Sequence, residues 1–304
     1  MAETKQAQYP PKTVHAMTID VEDYYHVSAF EKVISPKQWS EWPSRVEHNT
    51  ERLMALFDQH NIKATFFVLG WVAERYPALI KALSDQGHEI ASHGYSHQLI
   101  YNQSPELFRE ETARSKTILE DITGQAISGY RAASYSITPK SLWALDILAE
   151  LGFSWDSSIF PVRHDRYGIP GSPQSPYTIE TSAGDITEFP LTTATVLGQA
   201  IPAAGGGYFR QYPYQLSRWL FARASENDSR AQMFYLHPWE IDPEQPRINN
   251  ASRFSKFRHY TNLDKCYGRL DLLLSDFQFG TVAESLLSQP LSTHLKVAQL
   301  AQHG

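Results

Sequence analysis

Cysteine occurs once in the 304 residues, at Cys266, so no internal disulfide can brace the fold, and a lone thiol fits a reducing compartment. Long apolar runs are also missing. The longest, Ala64–Val72, is interrupted by Thr65 and Gly70 and falls far short of the ~20 residues that a membrane span needs. The opening MAETKQAQ has no apolar segment of the secretory type, and the expectation is a cytoplasmic protein. Positive charge is not in excess. The 27 Lys and Arg against 33 Asp and Glu leave a net −6 and a pI near 6.1, which argues against nucleic acid or an anionic membrane as the main partner. No Gly-x-Gly-x-x-Gly follows the first strand signal, and there is no Walker loop and no Gly-x-Ser-x-Gly elbow. Nucleotide-cofactor readings therefore have little support, and a Ser-His-Asp hydrolase is disfavoured.

What is there is core material and rhythm. With 42% apolar and 12% aromatic residues the chain can bury one large core. Residues 1–12 are polar and end in Pro10-Pro11; they read as a mobile tail. Val14–Val21 reads as the first strand and 45–60 as a helix with Val46, Leu53, Leu56 and Phe57 at helical spacing. Strand signals at 64–69, 89–92, 127–130, 153–157, 186–190 and 232–237 then alternate with helices. The first of those helices runs from about Pro77 to Gln86 and stops at Gly87; the next two are opened by Ser104-Pro105 and Thr138-Pro139 and closed near Gly124 and at Gly152. A further helix is expected over 213–224 and another over 262–277. The pattern predicts an α/β fold, a parallel sheet closed as a barrel with helices outside. It is read as one domain over 13–283, followed by a helix or tail at 284–304.

In such a barrel the active site forms at the C-terminal strand ends. Those ends carry Asp20, Glu22 and Asp23, then His93 and His97, Arg131, Asp156 and His237. If the chain turns helical at Gly94, His93 and His97 share one face, as i and i+4 neighbours do. Two imidazoles and a carboxylate are the raw material of a divalent-metal site. A second carboxylate could serve as general base, an arginine could keep it ionised, and a histidine across the barrel could protonate a leaving amine. Hydrolysis of an amide or ester needs these parts.

The ordered motifs Thr18–Asp23 (TIDVED), Ser92–His97 (SHGYSH), Tyr130–Tyr135 (YRAASY), Trp155–Ser158 (WDSS) and Leu236–Pro238 (LHP) resemble those of the polysaccharide deacetylase family, the NodB-homology group. Asp20–His26 (DVEDYYH), Gly205–Arg210 (GGGYFR), His237–Asp242 (HPWEID) and Arg258–Leu263 (RHYTNL) are similar to the subgroup found with bacterial exopolysaccharide loci, which carries a C-terminal extension. The resemblance covers roughly residues 14–283. It implies a distorted (β/α)7 barrel and metal-dependent removal of N-acetyl groups from amino sugars. By position it makes Asp20 the base, Arg131 its orienter, His237 the acid, and His93 and His97 metal ligands. For the third ligand, spacing favours Glu22 and side-chain type favours Asp23, and Asp23 is slightly preferred. Val21 departs from the family's adjacent acids, and Ala133 stands where proline is common.

The implied cofactor is a divalent metal, zinc first, with cobalt or nickel also suited. The implied partner is an N-acetylated carbohydrate. Tyr24, Tyr135, Arg210 and Trp239 are candidates to touch it, and Tyr25, Trp39 and Trp42 could add a sugar platform. Asp156, or else Glu188, is a candidate to orient His237. Gly205–Arg210 could meet a phosphate through backbone N–H groups and a guanidinium, or could simply be a turn. His26 could line the cleft, whereas His259 reads as structural. The alternatives are an amidohydrolase of the same barrel acting on a small non-sugar amide, and a glycan-binding protein without catalysis.

Overall fold

The strand His15–Val21 (β1) is buried at every position. A strand with no wet face must be covered on both sides, which is how parallel sheets are built. The structure, a computed structural model, describes residues 13–164, 166–228 and 230–303; the expected tail at 1–12 lies outside them. After β1 come β2 (Thr65–Val68), β3 (Glu89–Ser92), β4 (Gly129–Tyr130), β5 (Trp155–Asp156), β6 (Tyr177–Thr181), β7 (Gly184–Glu188), β8 (Thr193–Val196), β9 (Gln199–Pro202), β10 (Met233–Leu236), β11 (Phe279–Gly280) and β12 (His294–Lys296).

The wall runs β10-β1-β2-β3-β4-β5-β7, every neighbouring pair parallel. No ladder joins β7 back to β10 among the described residues, so the barrel expected from the pattern is distorted, as the resemblance implied. β6 pairs antiparallel with β7 and carries β12 beyond it, β11 backs the start of β1, and β8 and β9 form a separate hairpin. Helices Val46–Gln59, Pro77–Asp85, Pro105–Thr123, Trp143–Glu150, Tyr214–Asp228 and Leu263–Asp276 connect the wall. Their punctuation is the expected chemistry. The Ser104 side chain accepts from Leu107 N–H ahead of Pro105, and Gly124 leaves the helix at φ 68°.

Three expectations need correcting. The helix forecast from Thr138 begins only at Trp143, because Ser141 Oγ accepts from Thr138 N–H and donates to the Ser136 carbonyl, holding a turn instead. The end of the chain is neither a plain helix nor a tail: β12 adds to the sheet and Val297–Leu300 seals it with a buried Leu300. The segment 93–97 is not helical.

Register sets the rim. Val21, Val68, Ser92, Tyr130, Asp156 and Glu188 are paired in turn across β1, β2, β3, β4, β5 and β7. Glu22, His93 and Arg131 each follow one residue past that line. On the other side Ile19 pairs with Leu236, so Asp20 and His237 are the next residues along adjacent strands. Parallel alignment alone brings the candidate residues to one end of the barrel.

Candidate active site

Asp20 points inward from β1 and is almost fully buried. Its Oδ1 accepts from Arg131 Nη1 at 2.6 Å. Arg131 has no exposed surface, and the chain spends its other donors on Thr18 Oγ1, the Ser157 carbonyl, Ser157 Oγ and Met233 Sδ. Its guanidinium lies 3.9 Å from the Phe67 ring centroid. A fork held on every side cannot swing, so it fixes one carboxylate oxygen and leaves the other to the cleft. Asp20 Oδ2 faces His237 Nε2 at 3.9 Å.

The two histidines meet through a turn rather than a helix. Gly94 sits at φ 73° and His97 at φ 53°, a left-handed backbone costly for a non-glycine residue. Gly70 N–H and Trp71 N–H donate to the carbonyls of Gly94 and Tyr95 and clamp that turn. The rings end 5.4 Å apart. His93 Nδ1 lies 2.8 Å from the Arg131 carbonyl; a carbonyl only accepts, so Nδ1 carries the proton and Nε2 presents a lone pair. Burial holds the His93 ring in its neutral form, its pKa down at about 4.

The carboxylate that joins them is Glu22. Its Oε2 is 2.9 Å from His97 Nε2 yet makes no hydrogen bond. One ligand atom each from Glu22, His93 and His97 lies within 4.8 Å of the others. A buried carboxylate oxygen and an imidazole nitrogen, close but unbonded, suit a shared divalent cation, so the residues present fit a metal. Burial pushes the Glu22 carboxyl up, but His97 and His237 outweigh it and hold it well below the usual carboxylate range.

Asp23, preferred from the sequence, is turned away. Its Oδ1 accepts from Tyr24 N–H, and its Oδ2 accepts from Ser44 Oγ, Arg45 N–H and Val46 N–H. It anchors the start of the helix Val46–Gln59, and the acid whose ligand atom converges with those of His93 and His97 is Glu22. Spacing by two along the strand direction, which keeps Glu22 on the Asp20 face, was the better signal.

His237 closes the site, with Nε2 3.3 Å from Glu22 Oε1. Its Nδ1 lies 2.7 Å from Glu240 Oε1, so Glu240 and not Asp156 holds it. Burial would lower the His237 pKa, but Glu22, Glu240 and Asp20 raise it to about 9. Asp156 instead accepts from Ser158 Oγ at 2.6 Å and adjoins Glu188, which accepts from Ile159 N–H. Their remaining oxygens, Asp156 Oδ2 and Glu188 Oε2, are both buried without a partner.

The expected sugar contacts fare unevenly. Tyr24 is buried and donates to the Pro43 carbonyl. Trp239 is sandwiched between His237 and His259, with its Nε1 3.5 Å from Glu22 Oε1. Arg210 is buried, its Nε donating to Glu240 Oε2 at 2.6 Å. None of the three presents a free face, and the phosphate reading of Gly205–Arg210 goes with Arg210. Tyr135 stands edge-on to Tyr235, 5.0 Å between centroids, its hydroxyl unpartnered among the described residues. A cavity of about 190 Å³ opens beside His97, lined by Tyr25, His26, Ser28, Trp39 and Ser96 among others. His259 is structural, as read, with Nε2 2.6 Å from Gln245 Oε1.

Comparison with known proteins follows the same division. Residues 37–154 match the model described as "Polysaccharide deacetylase". Over that stretch the chain is similar to the polysaccharide deacetylases. Residues 157–287 match a second model, a domain of unknown function, DUF3473. His93, His97 and Arg131 fall in the deacetylase match, His237 and Glu240 in the second, and Asp20 and Glu22 precede both. A peptidoglycan-N-acetylglucosamine deacetylase of Bacillus cereus is 33% identical over 98 residues, 32% of this chain and 36% of that protein. A chitooligosaccharide deacetylase of Bradyrhizobium is 29% identical over 100 residues, 33% of this chain and 43% of that protein. The match thus spans well under half the length of these relatives. A solved Mycobacterium smegmatis structure, assigned to the polysaccharide deacetylases, aligns over 96% of this chain and 91% of its own at a TM-score of 0.59 and 19% identity; that likeness concerns the fold.

Proposed function

We propose that the chain is a metal-dependent hydrolase that removes N-acetyl groups from an amino sugar. The observation that carries this reading is the convergence of a buried acid–imidazole trio with a separate acid and a separate histidine. His237 Nε2 stands 3.3 Å from Glu22 and 3.9 Å from Asp20. Glu22, His93 and His97 would hold the divalent cation, zinc being the first choice and cobalt or nickel also suited to the donor set. Such an ion supplies Lewis acidity toward the acetyl carbonyl and the attacking water.

The chain's own residues do the rest. Asp20, fixed by Arg131, takes a proton from the attacking water. His237 delivers a proton from Nε2 to the departing nitrogen as the C–N bond breaks, so acetate and a free amine leave. Tyr135 and the cavity beside His97 offer the space and polar edges for the sugar. The relatives named above act, by their names, on peptidoglycan, N-acetylglucosamine and chitooligosaccharide. For this chain the proposed substrate is an N-acetylated precursor or oligosaccharide of an exopolysaccharide, met in the cytoplasm. The buried lone Cys266 fits that compartment, and no described helix is long and apolar enough to cross a membrane. Acetate release should be measured on polymeric, oligomeric and diphosphate-linked N-acetyl sugars, with O-acetylated sugars as controls. Release from at least one N-acetyl sugar, lost on chelation, is expected; release from O-acetyl sugars alone contradicts the reading.

A further inference from the structure

Three segments singled out in the sequence, 205–210, 237–242 and 258–263, are left without a task once Arg210 and Trp239 are withdrawn from the substrate. The structure brings them together around one side chain, Glu240, which has no exposed surface. Both of its oxygens accept: Oε1 from His237 Nδ1 at 2.7 Å and from His237 N–H at 3.2 Å, and Oε2 from Arg210 Nε at 2.6 Å. Arg210 is locked in turn. Its Nη1 donates to the carbonyls of His259 and Thr261 and its Nη2 to that of Arg258. Those carbonyls lie at the C-terminal end of the helix Arg253–Tyr260, where intrahelical partners run out and a guanidinium is favoured. Asn262, held at φ 52°, donates from Nδ2 to the Arg210 carbonyl at 2.8 Å.

The glycine run belongs to the same assembly. A Cβ on Gly206 would stand 1.7 Å from Glu240 Oε1, and one on Gly205 would stand 2.4 Å from the Tyr235 ring. Only bare backbone lets the helix Gly206–Gln211 approach closely enough for Arg210 to reach the carboxylate. The Trp239 ring, stacked at 20° on His237 and at 13° on His259, closes the remaining side.

We propose that Glu240, held by Arg210, is the positioning residue for the proton donor His237, and that supplying this apparatus is a task of the 157–287 segment. A carboxylate can only accept from Nδ1, so the pair fixes the ring with Nε2 toward Asp20 and the departing nitrogen. The inference rests on the deacetylase reading, with His237 as acid. In the step concerned, the electron pair of the breaking C–N bond goes to nitrogen and is met by the Nε2 proton. His237 is left neutral, and the proton that Asp20 took from water restores it before the next turnover.

The test exploits the leaving group. A sugar amine needs an acid to leave, whereas 4-nitrophenolate does not. Glu240→Gln, Arg210→Lys and the double variant should be assayed on an N-acetylated chitooligosaccharide and on 4-nitrophenyl acetate, with melting temperature and bound zinc measured alongside. Glu240→Gln should lower kcat on the amide on the order of 10²-fold, the scale of a lost general acid, and at least about ten-fold less on the ester. Arg210→Lys should lower the same amide-to-ester ratio more mildly and add nothing further in the Glu240→Gln background. Equal loss on both substrates, no loss on the amide, or multiplying effects in the double variant would overturn the proposal. Arg210→Lys alone decides it if Glu240→Gln does not fold. An unsubstituted chain that cleaves the ester and no N-acetyl sugar would bring down the deacetylase reading itself, a result visible before any variant is compared.

Discussion

At the scale of single residues, neighbouring acids have unlike tasks because their surroundings differ. Glu22 has a buried oxygen without a hydrogen bond, beside two imidazoles; Asp23 is engaged by four donors, three of them from residues 44–46. Glu22→Gln should therefore weaken zinc binding by about 10- to 100-fold or more, measured by competition with a chromophoric chelator, while the fold persists. The inner acid pair gives a second prediction. Burial raises Asp156 to about 6, and burial together with the Asp156 charge raises Glu188 well above the usual carboxylate range. Both acids hold protons more tightly in the fold than in the unfolded chain. Their contribution to stability is thus complete below the ordinary carboxylate pKa and is lost as pH rises through about 6 and beyond. Glu188→Gln keeps an acceptor for Ile159 N–H and offers Asp156 an amide donor that does not titrate. The melting temperature of the unsubstituted protein should fall more steeply between about pH 5 and 8 than that of the variant; parallel curves would contradict this linkage.

At the scale of elements, the site depends on how strands end and helices begin. Asp23 joins the end of β1 to the first turn of the helix Val46–Gln59, so Asp23→Ala orphans buried N–H groups. It should cost about 2–4 kcal/mol of stability by denaturant unfolding while leaving zinc stoichiometry intact. Loss of zinc with unchanged stability would reverse the assignments of Glu22 and Asp23. This is also where the sequence was read well and read badly. Strand periodicity, Ser-Pro openings and glycine stops placed β1, β2, β3 and most helices within a residue or two. β6, β8, β9 and β12 escaped notice because they are short and partly exposed, with no buried run to announce them. His93 and His97 come together through a turn and not through the helix that their spacing suggests. A left-handed His97 leaves no mark in composition, whereas helical spacing is a ready template. Glu240 carries no signal of its own because its partner Arg210 lies 30 residues away in sequence, and only packing shows that Gly206, just before Arg210, makes room for a carboxylate.

At the scale of the whole molecule, the two matched segments share one sheet and one site. β1 pairs with β2 on one side and with β10 on the other, and the largest buried cluster runs from Met17 to Leu300. In the proposed site Asp20 and Glu22 come from the end of β1, His93, His97 and Arg131 from the deacetylase match, and His237 with Glu240 from the segment beyond. Register brings Asp20, Glu22, His93, Arg131 and His237 to one rim, and the left-handed turn at His97 adds the second imidazole, so their joint chemistry is one proposal. It is tested most directly by following acetate released from an N-acetylated chitooligosaccharide as prepared, after chelation, and after zinc is returned, with His93→Ala run beside it. Release that chelation abolishes and zinc restores is expected, with none at any stage from the variant; release indifferent to chelation and retained by His93→Ala would contradict a metal-dependent site.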